Sequence, residues 1–276
     1  MNTRTPDVTT SPRGRADLHI HTLASDGVSS VAQVIDAAIA RGLDVIAITD
    51  HERVDSALAA RAMVESRGLP IEVVVGEEVS TRGGHVIGLF IEERIRPWGS
   101  LRSAIAQIHE QGGLAIVAHP LVPYPLTCAS GRAVQALLND SDPIFHPDGV
   151  EAFNPTTAGS RWGQRAASFV AGLPVAAMAS SDAHRAEDVG HALTTFEGRT
   201  AADLRAAIEN RATQWEGTKY SFPGQLSTFR RQLGKYTVGV RDTVRGKVRR
   251  DGTGRDLGYP GGRLRPPRLD LDEAQR

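Results

Sequence analysis

Six of the nine histidines in this 276-residue chain fall, with several carboxylates, in short motifs at the ends of apolar runs. In DLHIHT, His19 and His21 are two apart, so on an extended chain both imidazoles point to one side and can chelate a single cation. The following loop, LASDG, adds Asp26. LDVIAITDH ends in Asp50 and His51, IEVVVGEE in Glu77 and Glu78, LAIVAHP at His119, and LPVAAMASSDAH at Asp182 and His184, while His85 follows the turn after GEE. A lone histidine after a strand is usually a hydrogen-bonded loop residue. Six together, each at an end of an apolar run, make a metal-binding pattern. Imidazoles mixed with carboxylates and no thiolate suit Zn, Mn or Fe better than Ca or Mg, which prefer all-oxygen shells. Nine side chains at about four per ion, with carboxylates bridging, imply two or three divalent ions. His109, His146 and His191 lie outside these motifs and read as packing or surface residues.

The elements that must position these groups alternate. ADLHI precedes the helical pattern VAQVIDAAIARG, in which Val31, Val34, Ile35, Ala38 and Ile39 recur at i, i+3, i+4, i+7 and i+8, with Gly42 closing the helix. LDVIAIT precedes a helix over 54–68. IEVVV and HVIGLF follow, then a helix over 101–111 before LAIVA, one over 132–138 before DGVEAF, and one over 161–171 before LPVAAMA. Seven strands separated mostly by helices predict a largely parallel sheet, covered on both faces, as a closed barrel or an open doubly wound sheet. In either case chemistry belongs at the strands' C-terminal ends. The turn between GEE and HVIGLF is too short for a crossover helix, so these two strands form a hairpin with Glu78 and His85 on one rim.

Composition narrows the setting. A single cysteine, Cys128, excludes Cys-rich zinc modules and internal disulfides and reads as packing. The polar N-terminus has no apolar leader core, and no stretch of about 18 apolar residues appears, so the expected location is the cytoplasm. The formal net charge of zero conceals an asymmetry: residues 216–276 hold 14 Lys+Arg and 7 Asp+Glu, leaving 18 and 25 for residues 1–215. Residues 1–14 read as a disordered lead-in. Residues 216–250 read as a basic amphipathic helical extension that docks on the barrel, lies on an anionic membrane, or contacts nucleic acid, and 251–276 as a disordered tail.

The run DLHIHT, SDG, TDH, GEE with GGH, AHP and SDAH resembles the PHP (polymerase and histidinol phosphatase) family over residues 15–195, in its stand-alone phosphoesterase form. The resemblance implies a distorted seven-stranded β/α barrel over 15–215 and a metal-dependent phosphoesterase. It implies His19, His21, Glu78 and Asp182 on a first ion, Glu78 bridging to a second held by His85 and His119, and Asp26, His51 and His184 on a third. Asp182, Glu78 and His184 would also serve the reaction, hydrolysis by a hydroxide bridging the metals. The substrate would be a phosphomonoester, a nucleotide or a short oligonucleotide, with no protein partner implied. Asp17, in register with His19 and His21, is a candidate to accept their outer N–H groups and equally one to make a structural hydrogen bond; Glu77 and Asp50 are candidates to support the ligands, against a plain role as rim residues. Arg161 and Arg185 are candidates for binding substrate phosphate, although a solvated surface role is the favoured reading of each. The alternative is a non-catalytic metal-binding module, and the full ligand set argues against it. A related C–N hydrolase commonly uses a modified bridging lysine, and no lysine precedes Lys219.

Overall fold

The computed structural model describes residues 13–122, 126–155 and 161–220, with Arg161 and Trp162 described by backbone alone. Most of the expected basic extension, and all of the expected tail, lie outside the described residues. Among the described residues, nine strands form one sheet: β1 (Arg13–Asp17), β2 (Val45–Ile48), β3 (Glu72–Thr81), β4 (Gly84–Leu89), β5 (Leu114–Val117), β6 (Gly149–Phe153), β7 (Ala176–Ala179), β8 (Ala192–Glu197) and β9 (Gln214–Gly217). Their order is β7-β6-β5-β4-β3-β2-β1-β8-β9. Thr194 bridges the seam between β7 and β8, its hydroxyl accepting from Ala179 N at 3.1 Å and donating to Ala179 O at 2.9 Å. The sheet is thus a nearly closed, distorted barrel.

Apolar alternation explains both faces. Val45 and Ala47 join Leu18, Val74, Ile87, Ile116 and Met178 in one cluster contributed by facing strands. Ile46 and Ile48, between them in sequence, pack instead with Val34, Ile35, Ala57 and Ala60. Those four belong to α1 (Val31–Ala40) and α2 (Asp55–Arg67), which cover the outside. Burial on both faces is why β2 and β5 consist wholly of apolar residues. Polar caps set where helices start. Ser30 and Gln33 form a reciprocal capping box on α1, and Ser100 and Ser130 cap α3 (Leu101–Glu110) and α4 (Gly131–Leu138). α5 (Arg161–Val170) leads into β7, and α6 (Ala201–Glu209) places Leu204 and Ile208 in the interior cluster. Ala201 N donates to Glu72 at the start of β3, so α6 closes the barrel end opposite the strands' C-terminal ends.

The hairpin expected between GEE and HVIGLF is present, with Glu78 opposite Ile87 and Ser80 opposite His85. Two features differ from the sequence reading. Strand pairing includes the last two residues of the expected lead-in, since Arg13 and Gly14 pair antiparallel with Glu197 and Phe196 of β8, while residues 1–12 lie outside the described residues. A Cβ on Gly14 would meet the Phe196 ring at 2.5 Å, so glycine permits this close approach. β8 and β9 extend the sheet beyond the seven expected strands, and β9 crosses the boundary expected at residue 216. Among the described residues, no helix is long and apolar enough to cross a membrane.

Candidate metal centre

The strands' C-terminal ends converge on one polar pocket. Beyond β1 the chain runs on between β2 and β7, where Ala183 N bonds to His19 O and His21 N to Ala183 O, at 3.2 and 2.8 Å. His19 and His21 thereby project inward together, both fully buried. Gly27 lets the SDG loop fold onto this segment, since a Cβ there would lie 2.5 Å from His21 O. His51 follows β2 and bridges to Glu78 at the middle of β3. Gly84, at φ 124, turns β4 so that His85 enters the pocket.

All nine expected ligands meet here. Glu78 is central: its Oε1 lies 2.7 Å from His85 Nδ1 and 3.1 Å from His119 Nε2, and its Oε2 lies 3.2 Å from the Nε2 of both His19 and His21 and 3.3 Å from His51 Nε2. Asp182 Oδ1 lies 3.4 Å from His21 Nε2 and 3.6 Å from both His19 Nε2 and His184 Nδ1. Asp26 meets His184 at 3.0 Å and His21 at 3.5 Å. Four triads have ligand atoms within 4.8 Å of one another: His19, Glu78 and His119; His19, His21 and Asp182; His21, Asp26 and His184; and His21, His51 and Glu78. His51 therefore sits nearer Glu78 than Asp26, which is 3.9 Å away, so the expected third set is not drawn together as a separate triad.

The donor set fits divalent cations. His19 Nε2, both ring nitrogens of His21 and His51 Nδ1 are buried without a hydrogen bond. Leaving such atoms unpaired costs free energy that coordination would recover. Charge points the same way. Burial opposes ionisation of Glu78, Asp26 and Asp182, yet the surrounding imidazoles hold all three below the usual carboxylate range. Burial likewise opposes charge on His19, His21 and His119, but the carboxylates around His19 and His21, and the Cys128 sulfur together with Glu78 around His119, raise all three well above the ordinary value. His85, buried between His51 and His119, is lowered instead. Strain also gathers here, since His119 and Asp182 have φ of 26 and 53, in the left-handed region.

The supporting residues divide between the roles open to them. Asp17 accepts from Ser181 N at 2.9 Å and Gly190 N at 2.7 Å rather than from an imidazole. Two residues of extended chain span about 6–7 Å, which leaves Asp17 too far below the rings. Burial raises its carboxyl to about 6. Glu77 alternates with Glu78 and points away from the ligands, where its Oε2 accepts from Ile95 N at 2.7 Å. Asp50 does support the pocket, through the loop that carries Asp26: it accepts from Thr22 N at 2.7 Å, Thr22 Oγ1 at 2.6 Å and the hydroxyls of Ser25 and Ser56. Arg185 is committed to Asp188 by two 2.8 Å bonds, which counts against a phosphate role. The Arg161 side chain lies outside the described residues. Cys128 is more than packing, with Sγ 3.4 Å from His119 Nδ1. His109, His146 and His191 lie away from the pocket, bonded to Asp148, Asp140 O and Asp188 O.

Three participants escape the motif reading. Glu151 and Asn154, on and just after β6, reach the ligands from behind. The signal for Glu151 was a lone carboxylate inside the apolar strand GVEAF. Tyr220 donates its hydroxyl to Ser181 O, beside Asp182; no local pattern marks it.

Residues 17–129 match the family model described as PHP domain, and residues 161–213 the one described as PHP-associated. An uncharacterized protein of Methanocaldococcus jannaschii, MJ1587, is 36% identical over 151 residues, covering 51% of this chain and 81% of that protein. A 5'-3' exoribonuclease of Haemophilus influenzae is 39% identical over 77 residues, which are 26% of this chain and 27% of the relative. Among solved structures, a two-domain protein of Bacteroides vulgatus containing a predicted PHP-like metal-dependent phosphoesterase superposes with a TM-score of 0.61 at 20% identity, covering 83% of this chain and 72% of that one.

Proposed function

Since this chain belongs to the PHP family, we propose that it hydrolyses phosphoesters, either a phosphomonoester, a nucleotide or a short oligonucleotide, with two or three Mn, Zn or Fe ions in the pocket. The observation that carries this reading is the convergence of six imidazoles and three carboxylates on buried ring nitrogens that make no hydrogen bond. His19, His21, Glu78 and Asp182 would hold one ion, His85 and His119 with Glu78 a second, and Asp26, His51 and His184 would hold or share a third. Bound divalent ions would supply positive charge for the phosphate oxygens and make hydroxide available near neutral pH.

The chain's own contribution is fixed placement of charge. Each Glu78 oxygen faces a different set of imidazoles, so the carboxylate cannot turn without breaking one set. His184 is held from both ring nitrogens, Nδ1 by Asp182 O at 2.9 Å and Nε2 by Asp26 at 3.0 Å. Burial of His19, His21 and Glu78 keeps bulk water from competing at these groups. The relatives' names favour phosphoester bonds, and the exoribonuclease likeness keeps an oligonucleotide among the substrates.

The test is turnover by Mn-loaded protein across a panel of phosphomonoesters, nucleotides and short oligonucleotides, beside Asp182→Ala. We expect at least one ester to be hydrolysed and the variant to lose at least about 100-fold, beyond the usual effect of removing a group that merely supports a ligand, with its circular dichroism unchanged. A reconstituted protein that holds no divalent ion, or that turns over nothing, would overturn the proposal.

A further inference from the structure

β6 lies between β5 and β7 in the sheet and carries none of the nine ligands. It nevertheless touches ligands from three other strand ends. Glu151 is buried, with Oε1 3.1 Å from His19 Nδ1 and Oε2 accepting from the backbone N–H of His119 at 2.7 Å and from Asn154 Nδ2 at 3.2 Å. Asn154 Nδ2 also donates to Asp182 Oδ2 at 3.3 Å. Residues three apart on a regular strand point to opposite faces. Here the register shifts: Glu151 pairs with Met178 and Phe153 with Ala179, so an extra residue enters β6. This bulge brings Glu151 and Asn154 to the same carboxylate, as bulges beside active sites re-aim side chains.

We propose that Glu151 and Asn154 form the positioning element of the metal centre, fixing the ring of His19, the backbone of His119 and the carboxylate of Asp182 together. The proposal rests on the metal-binding reading above. An ionised carboxylate only accepts hydrogen bonds, so the ring nitrogen it faces, His19 Nδ1, must carry the proton. In the neutral ring the lone pair of His19 then lies on Nε2, the atom directed at Glu78 and Asp182. The bond to His119 N holds that residue in its left-handed conformation. Asn154 takes one oxygen of Asp182 and leaves the other facing His19 and His21.

Glutamine at 151 keeps the shape and inverts the logic. The carboxylate serves three donors with two acceptor oxygens, whereas an amide offers one oxygen and one NH2. Turned toward His119 N–H and Asn154, the oxygen leaves the NH2 facing His19 Nδ1, which favours the tautomer with its proton on Nε2. Turned the other way, the NH2 opposes the two donors.

The experiment measures zinc affinity by chelator competition for the full chain and for Glu151→Gln, with 15N spectra of the histidine rings in both zinc-loaded proteins. We expect roughly 10–100-fold weaker binding in the variant and loss of the hydrogen-bonded Nδ1–H resonance of His19. A wild-type chain that binds no zinc would sink the metal reading and this proposal with it. Zinc held equally tightly by both, with unchanged ring spectra, would overturn this proposal alone. Should Glu151→Gln not fold, Asn154→Ala leaves the Glu151 bonds to His19 and His119 in place; an affinity loss of about 2–10-fold is expected, and none at all would overturn the proposal.

Discussion

Replacing Glu77 by glutamine should stabilise the metal-free protein, and more so as pH rises. Glu77 is fully buried, with one oxygen accepting from Ile95 N and the other lacking any partner. Burial raises its carboxyl from 4.5 to about 8. A carboxyl whose folded pKa exceeds its unfolded one binds protons more tightly in the native state, so stability declines as pH climbs from about 4.5 to about 8. At 1.36 kcal/mol per pKa unit, the penalty is about 1 kcal/mol at pH 5, about 3 at pH 7 and about 5 at pH 9. Glutamine does not titrate. Its amide can still accept from Ile95, and it places an unpaired NH2 where the protonated acid places an unpaired O–H. Any fixed cost of the amide cancels when the Glu77→Gln minus wild-type difference is compared between pH 5 and pH 9, leaving about 4 kcal/mol. Urea unfolding in chelator at the two pH values measures it. A difference that stays flat with pH would mean that Glu77 ionises freely and that the burial argument is wrong.

Three further outcomes concern the pocket. Because carboxylates raise His19 and His21, and Cys128 with Glu78 raises His119, all despite burial, cations must displace protons: metal affinity should fall as pH drops from 8 to 6, and calorimetry in buffers of different ionisation enthalpy should record proton release on binding. The same shifts give the metal-free protein stability that is present below the unfolded histidine pKa and lost as pH rises through the folded values. Asp50→Asn should cost about 3 kcal/mol in urea unfolding, because it loses a charged acceptor of four hydrogen bonds and sets a new donor among donors; an unchanged midpoint would refute that assignment.

Much of this arrangement was legible in the sequence because it is local. VAQVIDAAIA carries its periodicity and its cap within a dozen residues, and the helices before β5, β6 and β7 lie where the apolar spacing puts them. The ligands were visible for a related reason: polar residues that interrupt an apolar run mark strand ends, and in a β/α barrel those ends meet. What sequence could not supply was distance across the fold. Asp17 and Glu151 are both acids in strands, and nothing near either tells which one meets His19. The answer depends on a bulge in β6 and on pairing between residues 132 positions apart. β8 escaped notice because its partner is β1, and Thr194 within it spends its hydroxyl across the seam on Ala179 rather than on a neighbour in sequence.

The strained positions tie these threads together. Left-handed backbone costs about 1–3 kcal/mol at a non-glycine residue, and glycine would remove that cost at His119 and Asp182 only by removing a ligand. Each strained residue is held by bonds to its peptide neighbours rather than by its own side chain alone. Glu151 grips His119 N, while the Ser181 peptide preceding Asp182 is held at its N–H by Asp17 and at its carbonyl by Tyr220. Asp17 is thus no less tied to the metal centre than expected, but it acts on the backbone that aims Asp182 instead of on an imidazole. Tyr220 performs the matching task from the end of the described chain, where its half-buried hydroxyl is far less acidic than usual. The ligand geometry is therefore set by buried hydrogen bonds from strands remote in sequence, which is why a pattern of histidines can announce the chemistry while leaving the frame that aims them unwritten in any motif.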